Sequence, residues 1–158
     1  MNTIVVYYSL NGNTKMVAEK IAERLGCETS RVTTKKKMPQ GKAGQILKGA
    51  LITLLKARPA IRFEKEISDY DHIIICTPIW AGTFTPAIRS FISLNDMREK
   101  KISMVSTFDG GPGRCFKALE EEIKPKEVIA TLELKKPASD PELDSKIDSF
   151  VGEVKRKA

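Results

Sequence analysis

Three short segments carry the residues that could bind and position a ligand. The first is Ser9-Leu10-Asn11-Gly12-Asn13-Thr14, which follows a β-branched, aromatic run and opens a helical pattern. Hydroxyls, amides and the backbone N–H groups of a helix start suit a phosphate, and no lysine is needed if dipoles hold the anion. The segment is neither GxxxxGK[ST] nor GxGxxG. Its plain alternative is a helix cap made by Asn13 or Ser9. The second is Thr77-Pro78-Ile79-Trp80-Ala81-Gly82-Thr83, with the chain's only tryptophan. A tryptophan there either plugs the core or offers a stacking surface to a flat ring. The third, Thr107-Phe108-Asp109-Gly110-Gly111-Pro112-Gly113, is too rich in glycine for a simple turn. Its backbone groups can approach a heterocycle closely.

Other chemistry is poorly supplied. His72 is the sole histidine, so any triad would depend on it, and it falls at the start of a strand. The three cysteines, Cys27, Cys76 and Cys115, are far apart and form no CxxC pair, so neither a zinc site nor a disulfide framework is indicated. Cys115 stands near a helix start that can lower a thiol pKa, but a packed thiol is the preferred reading. Glu120, Glu121 and Glu122 read as a solvated helix face. No catalytic side chain and no metal cluster are expected.

The elements that must position the three segments follow from periodicity. Thr3–Tyr8 reads as a strand. Val17, Ala18, Ile21 and Leu25 mark a helix that stops at Gly26. Residues 27–33 read as a second strand. Ile46, Leu47, Ala50, Leu51, Leu54 and Leu55 form an apolar stripe on a helix ended by Pro59, read as its core face. Residues 71–77 hold the run IIIC, as in a buried parallel strand, and residues 78–82 read as a loop. Pro86 suits a first helical turn. Residues 101–107 give a fourth strand, and Phe116, Leu119 and Ile123 a helix. Residues 127–135 give a fifth strand, with Val128, Ala130, Leu132 and Leu134 expected on one face. Leu143, Ile147, Phe150, Val151 and Val154 line a last helix. Five βα units imply one α/β domain over 1–158, a doubly wound parallel sheet with helices on both faces. Ligands in such sheets bind beyond the carboxyl ends of the strands, where the three segments fall.

Composition agrees with a folded chain: 158 residues, 41% hydrophobic, formal net charge +7. No apolar run approaches the roughly 20 residues of a spanning helix, and no basic n-region precedes the first apolar run. A cytoplasmic protein without membrane insertion is expected. The charge is uneven. Residues 31–65 contain ten Lys/Arg and one acid, Glu64. Such a block steers anionic partners or is merely a solvated face. Cations beside an apolar stripe also suit a membrane surface, although the core-face reading is preferred. Nucleic acid is not the expected partner.

Taken together, the segments resemble the loops of the short-chain flavodoxins and flavodoxin-like FMN proteins, over essentially the whole chain. Ser9–Thr14 is similar to their phosphate loop, with Asn11 where threonine is usual. Thr77–Gly82 is similar to the loop whose tryptophan lies against the flavin. The resemblance implies a five-stranded sheet of order 2-1-3-4-5 and FMN as cofactor. It implies that Ser9, Asn11, Asn13 and Thr14, with the backbone of Leu10 and Gly12, hold the phosphate. Trp80 would shield one ring face, Ala81 and Gly82 would lie near flavin N5, and Asp109, Gly110 and Gly111 would face the pyrimidine edge. Pro78, Ile79, Thr107, Phe108 and Gly113 complete that cradle. Two departures stand out. The third loop carries Phe108 and no tyrosine, which leaves one ring face open. The chain is basic where typical flavodoxins are acidic. The implied function is electron transfer between redox partners, one of them acidic and contacting residues 31–65. The alternatives are an FMN-dependent NAD(P)H:acceptor (quinone) oxidoreductase and a basic binding module on the same fold.

Overall fold

Alternating apolar positions in four long strands give the sheet two buried faces, and helices cover both. The structure, a computed structural model, describes residues 1–157. The elements run β1 (Thr3–Tyr8), α1 (Asn13–Leu25), β2 (Glu28–Thr34), α2 (Lys42–Leu54), β3 (Ile61–Phe63), β4 (His72–Trp80), β5 (Thr83–Phe84), α3 (Pro86–Leu94), β6 (Lys101–Phe108), α4 (Cys115–Ile123), β7 (Glu127–Lys135) and α5 (Leu143–Lys157), with a 3₁₀ turn at Pro137–Ser139. The sheet order is β3-β2-β1-β4-β6-β7, with β5 paired to β4. β1, β2, β4, β6 and β7 are mutually parallel. They are the five strands expected from the sequence, in the expected order.

Ile4, Val6, Ile73, Ile75, Ile102 and Met104 point to one face, under α3 and α4. Val5, Tyr7, Ile74, Cys76 and Val105 point to the other, under α1 and α5. Burying each such aliphatic chain stabilises the fold by about 1.5–3 kcal/mol before entropy is counted. α1 ends as its glycine demands: Gly26 is left-handed at φ 65° and its N–H bonds back to the helix. Among the described residues no helix is long and apolar enough to cross a membrane.

Four expectations need correction. The sheet has seven strands, not five. Ile61–Phe63 pairs antiparallel with β2, so β3 rather than β2 is the edge. Strand β4 continues through Pro78 and Ile79 to Trp80, because β5 folds back on it through a two-residue turn at Ala81-Gly82. In β7 the pairing with β6 shifts between Ile102 and Met104. That bulge turns the strand over. Val128 packs on the first core, while Ala130, Leu132 and Leu134 belong to the second.

The fourth correction concerns α2. It ends at Leu54, before a left-handed Lys56, and not at Pro59. Its expected core face is outside: Ile46, Leu47, Leu51, Leu54 and Leu55 are 55–74% exposed. Small residues dock the helix instead, since Gly49 and Thr53 are its buried positions.

Candidate functional site

The three segments meet at the carboxyl ends of β1, β4 and β6. They line a cleft of about 390 Å³ with Pro137, a volume of small-ligand size. Ser9, Leu10, Asn11, Asn13 and Thr14 come from the first loop. Pro78, Ile79, Trp80 and Gly82 come from the second, and Thr107, Phe108, Asp109, Gly110 and Gly111 from the third. Of the expected residues, Gly12, Ala81 and Gly113 do not line it. Ala81 and Gly113 face a neighbouring hollow that shares Gly82 with the cleft. Pro137 was not foreseen, because it reaches the cleft only through the turn after β7.

The first loop leaves the start of α1 without a side-chain cap. Gly12 takes the helix cap position at φ 93°, and no side chain caps α1. Ser9 is turned inward, its Oγ accepting the Gly12 N–H at 3.1 Å. The first intrahelical bond is Met16 N–H to Gly12 C=O, 3.0 Å. The N–H groups of Asn13, Thr14 and Lys15 are therefore left without helical partners. Neither side chain proposed as a cap, Asn13 or Ser9, caps the helix. No Lys or Arg lines the cleft, so an anion there is held by dipoles and hydroxyls. Thr14 Oγ1 and Thr107 Oγ1 share a buried hydrogen bond of 2.8 Å, which ties the first loop to the third.

Trp80 is half-buried at the cleft wall. Tyr8 meets it edge-on, ring centroids 5.6 Å apart. Helix α2 also presses on it: a β-carbon at Gly49 would stand 3.3 Å from the indole ring. Both supports lie outside the three segments, and neither had a sequence signal of its own. The turn beyond Trp80 is left-handed twice, Ala81 at φ 47° and Gly82 at φ 77°. That is the type I′ pattern two-residue hairpins favour. It locks onto the third loop: the Arg114 N–H donates to the Gly82 carbonyl at 2.8 Å. A β-carbon at Gly113 would lie 2.1 Å from that same oxygen.

The rest of the reactive inventory is remote or inert. His72 is buried at the amino end of β4 against Ser103 and Thr3. Burial pushes the Cys115 thiol up to about 12 and Cys27 to about 11, and raises Cys76 as well. Cys115 is packed into the first core. Among the described residues no three His, Cys, Asp or Glu side chains group as a metal site.

Uncapped N–H groups at the start of α1, the Trp80 indole and the glycine-rich third loop meet at one cleft, groups of the kind that suit a phosphate and a flat ring. Comparison with known proteins agrees. Residues 1–122 match the family model described as NADPH-dependent FMN reductase. Solved structures of the same fold include a flavoprotein in complex with FMN from Lactobacillus acidophilus, 22% identical with a TM-score of 0.75, covering 94% of this chain and 97% of that one. A putative flavoprotein from Bacteroides uniformis is 20% identical, TM-score 0.75, over 96% and 97% of the two chains. A flavodoxin from the domain Archaea is 14% identical, TM-score 0.59, over 99% and 98%. The matched stretch contains all three loops, and on that match this chain, flavodoxin-like in fold, belongs to the NADPH-dependent FMN reductase family.

Proposed function

We propose that this chain holds FMN in the cleft and passes electrons from NADPH to a separate acceptor. The family match over residues 1–122 carries the reading. The cleft supports it. Ser9, Asn11, Asn13, Thr14 and the first N–H groups of α1 receive the phosphate. Trp80, held by Tyr8 and Gly49, backs one ring face. Of the Ala81-Gly82 turn, Gly82 lines the cleft and would lie against the ring, and Asp109, Gly110 and Gly111 would meet its polar edge. When bound, the flavin supplies acceptance of a hydride and release of electrons. This chain's residues orient the ring, shield one face and leave the other open. Phe108 is the third loop's only aromatic, and it has no tyrosine to cover the outer face. An open face admits a nicotinamide. No side-chain acid or base is required.

The test begins with colour. Purified protein, or protein mixed with FMN, should show a bound-flavin spectrum; a colourless product after FMN addition and desalting would sink the reading at its first step. NADPH oxidation is then followed with a quinone or ferric acceptor. Steady turnover is the expected result. A flavin-loaded protein that turns over neither NADPH nor NADH would leave the electron-carrier reading in its place.

A further inference from the structure

We propose that the outer face of α2 is the docking site for an acidic partner protein, one whose apolar groove is rimmed with carboxylates. An ordinary surface helix turns its large aliphatic side chains inward. Here the arrangement is reversed. Gly49 and Thr53 face the body, and Thr53 Oγ1 is satisfied by the Gly49 carbonyl at 2.7 Å. Ile46, Leu47, Leu51, Leu54 and Leu55 form a continuous exposed ridge, with spacings of i, i+4 and i+7 at Leu47, Leu51 and Leu54. Folding gains little from that ridge, and a soluble chain rarely leaves such a patch bare without a use. The spacing is that of a helix laid into a groove.

Charge decides the occupant. Lys48 borders the ridge, Lys42 and Lys56 stand at the two ends of the helix, and none has an ion-pair partner among the described residues. The surrounding residues 31–65 hold ten cations and one acid. A second copy docked face to face would bring these unpaired cations against their own images, which is unfavourable. A membrane-lying helix ordinarily adds interfacial aromatics, and residues 31–62 contain none. An acidic protein groove satisfies both the ridge and its rim. Gly49, on the inner face of the same helix, rests on Trp80, so a partner on the outer face is separated from the wall of the candidate cleft by the thickness of one helix, roughly 10 Å. That the partner exchanges electrons rests on the function proposed above; the docking surface does not.

The probe is a designed two-helix hairpin whose apolar groove is rimmed with glutamate, and its twin rimmed with lysine. Binding to the full chain, supplied with FMN, is measured by calorimetry. The glutamate hairpin should bind and the lysine twin should not. Raising salt from about 50 to 300 mM should weaken binding severalfold. The triple variant L47S/L51S/L54S should weaken it about tenfold or more, and K48E should weaken it through charge alone. All four positions are exposed, so folding is preserved, which circular dichroism verifies. Equal binding of both hairpins, no binding of either, or undiminished binding by the triple variant overturns the proposal. So does sedimentation showing a dimer that the triple variant dissolves, or co-sedimentation of the wild-type chain with phosphatidylglycerol vesicles. Hairpin binding by a chain that takes up no FMN would overturn only the function proposed above.

Discussion

At the scale of single residues, the site depends on where β-carbons are absent and where hydroxyls pair. Gly113 is the sharpest case. A β-carbon there would meet the Gly82 carbonyl at 2.1 Å, and backbone cannot swing aside. Gly113→Ala should part the second and third loops and break the Arg114–Gly82 hydrogen bond. FMN affinity is expected to fall roughly 10- to 100-fold, equivalent to about 1.4–2.8 kcal/mol, measured by quenching of flavin fluorescence, with circular dichroism unchanged. Thr14→Val keeps the shape and removes a hydroxyl. It leaves Thr107 Oγ1 buried without its partner, so urea denaturation should show a loss of about 1–2 kcal/mol. The identity of these residues was legible in the sequence because loops rich in glycine and hydroxyls advertise themselves. Their mutual locking was not, since a contact such as Gly113 against Gly82 depends on how two loops cross in space. Whether Ser9 or Asn13 caps the helix was likewise open in the sequence, and Gly12 holds the cap position.

At the scale of elements, periodicity found every long strand and helix but misjudged what two of them face. In β7 one bulge changes the side to which Val128 points relative to Leu132 and Leu134. A single extra residue is invisible to an alternation pattern that stays apolar on both sides. In α2 the apolar stripe is real, yet it faces out, because the inward contacts are made by Gly49 and Thr53. Periodicity reports that a face is apolar; it does not report what covers that face. The close approach at Gly49 yields a prediction. Gly49→Ile places a branched side chain where even a β-carbon stands 3.3 Å from the indole. The helix must lift or Trp80 must swing into the cleft. The chain's single tryptophan should then emit at a longer wavelength with FMN binding weakened, whereas Ile46→Ser on the outer face should change neither.

At the scale of the whole molecule, the candidate cleft lies at the carboxyl ends of the strands, and a buried histidine lies at the other end of the sheet. His72 is fully buried, its Nε2 paired with Ser103 Oγ at 2.8 Å and its Nδ1 near Thr3 Oγ1 at 3.3 Å. Burial, and then the nearby charge of Lys101, lower its pKa to about 4 from 6.5. The folded protein therefore holds this imidazole neutral where the unfolded chain would protonate it. Below pH 6.5 the unfolded state binds the extra proton, so stability falls with pH and levels off near pH 4. Across that window the loss is about 3 kcal/mol. The carboxylates held low by their partners, such as Glu28 and Asp96, add their own loss as pH falls through the unfolded values of 4.5 and 3.8, at the bottom of this window and below it. Urea denaturation at pH 7 and at pH 4.5 should show the drop. A His72→Gln variant, less stable at pH 7, should show most of it abolished. An unaltered slope in that variant would mean that another group titrates in the window. The cleft contains no histidine, so FMN affinity of the folded protein should stay flat between pH 7 and 8, above both the histidine's window and the second ionisation of a phosphate monoester.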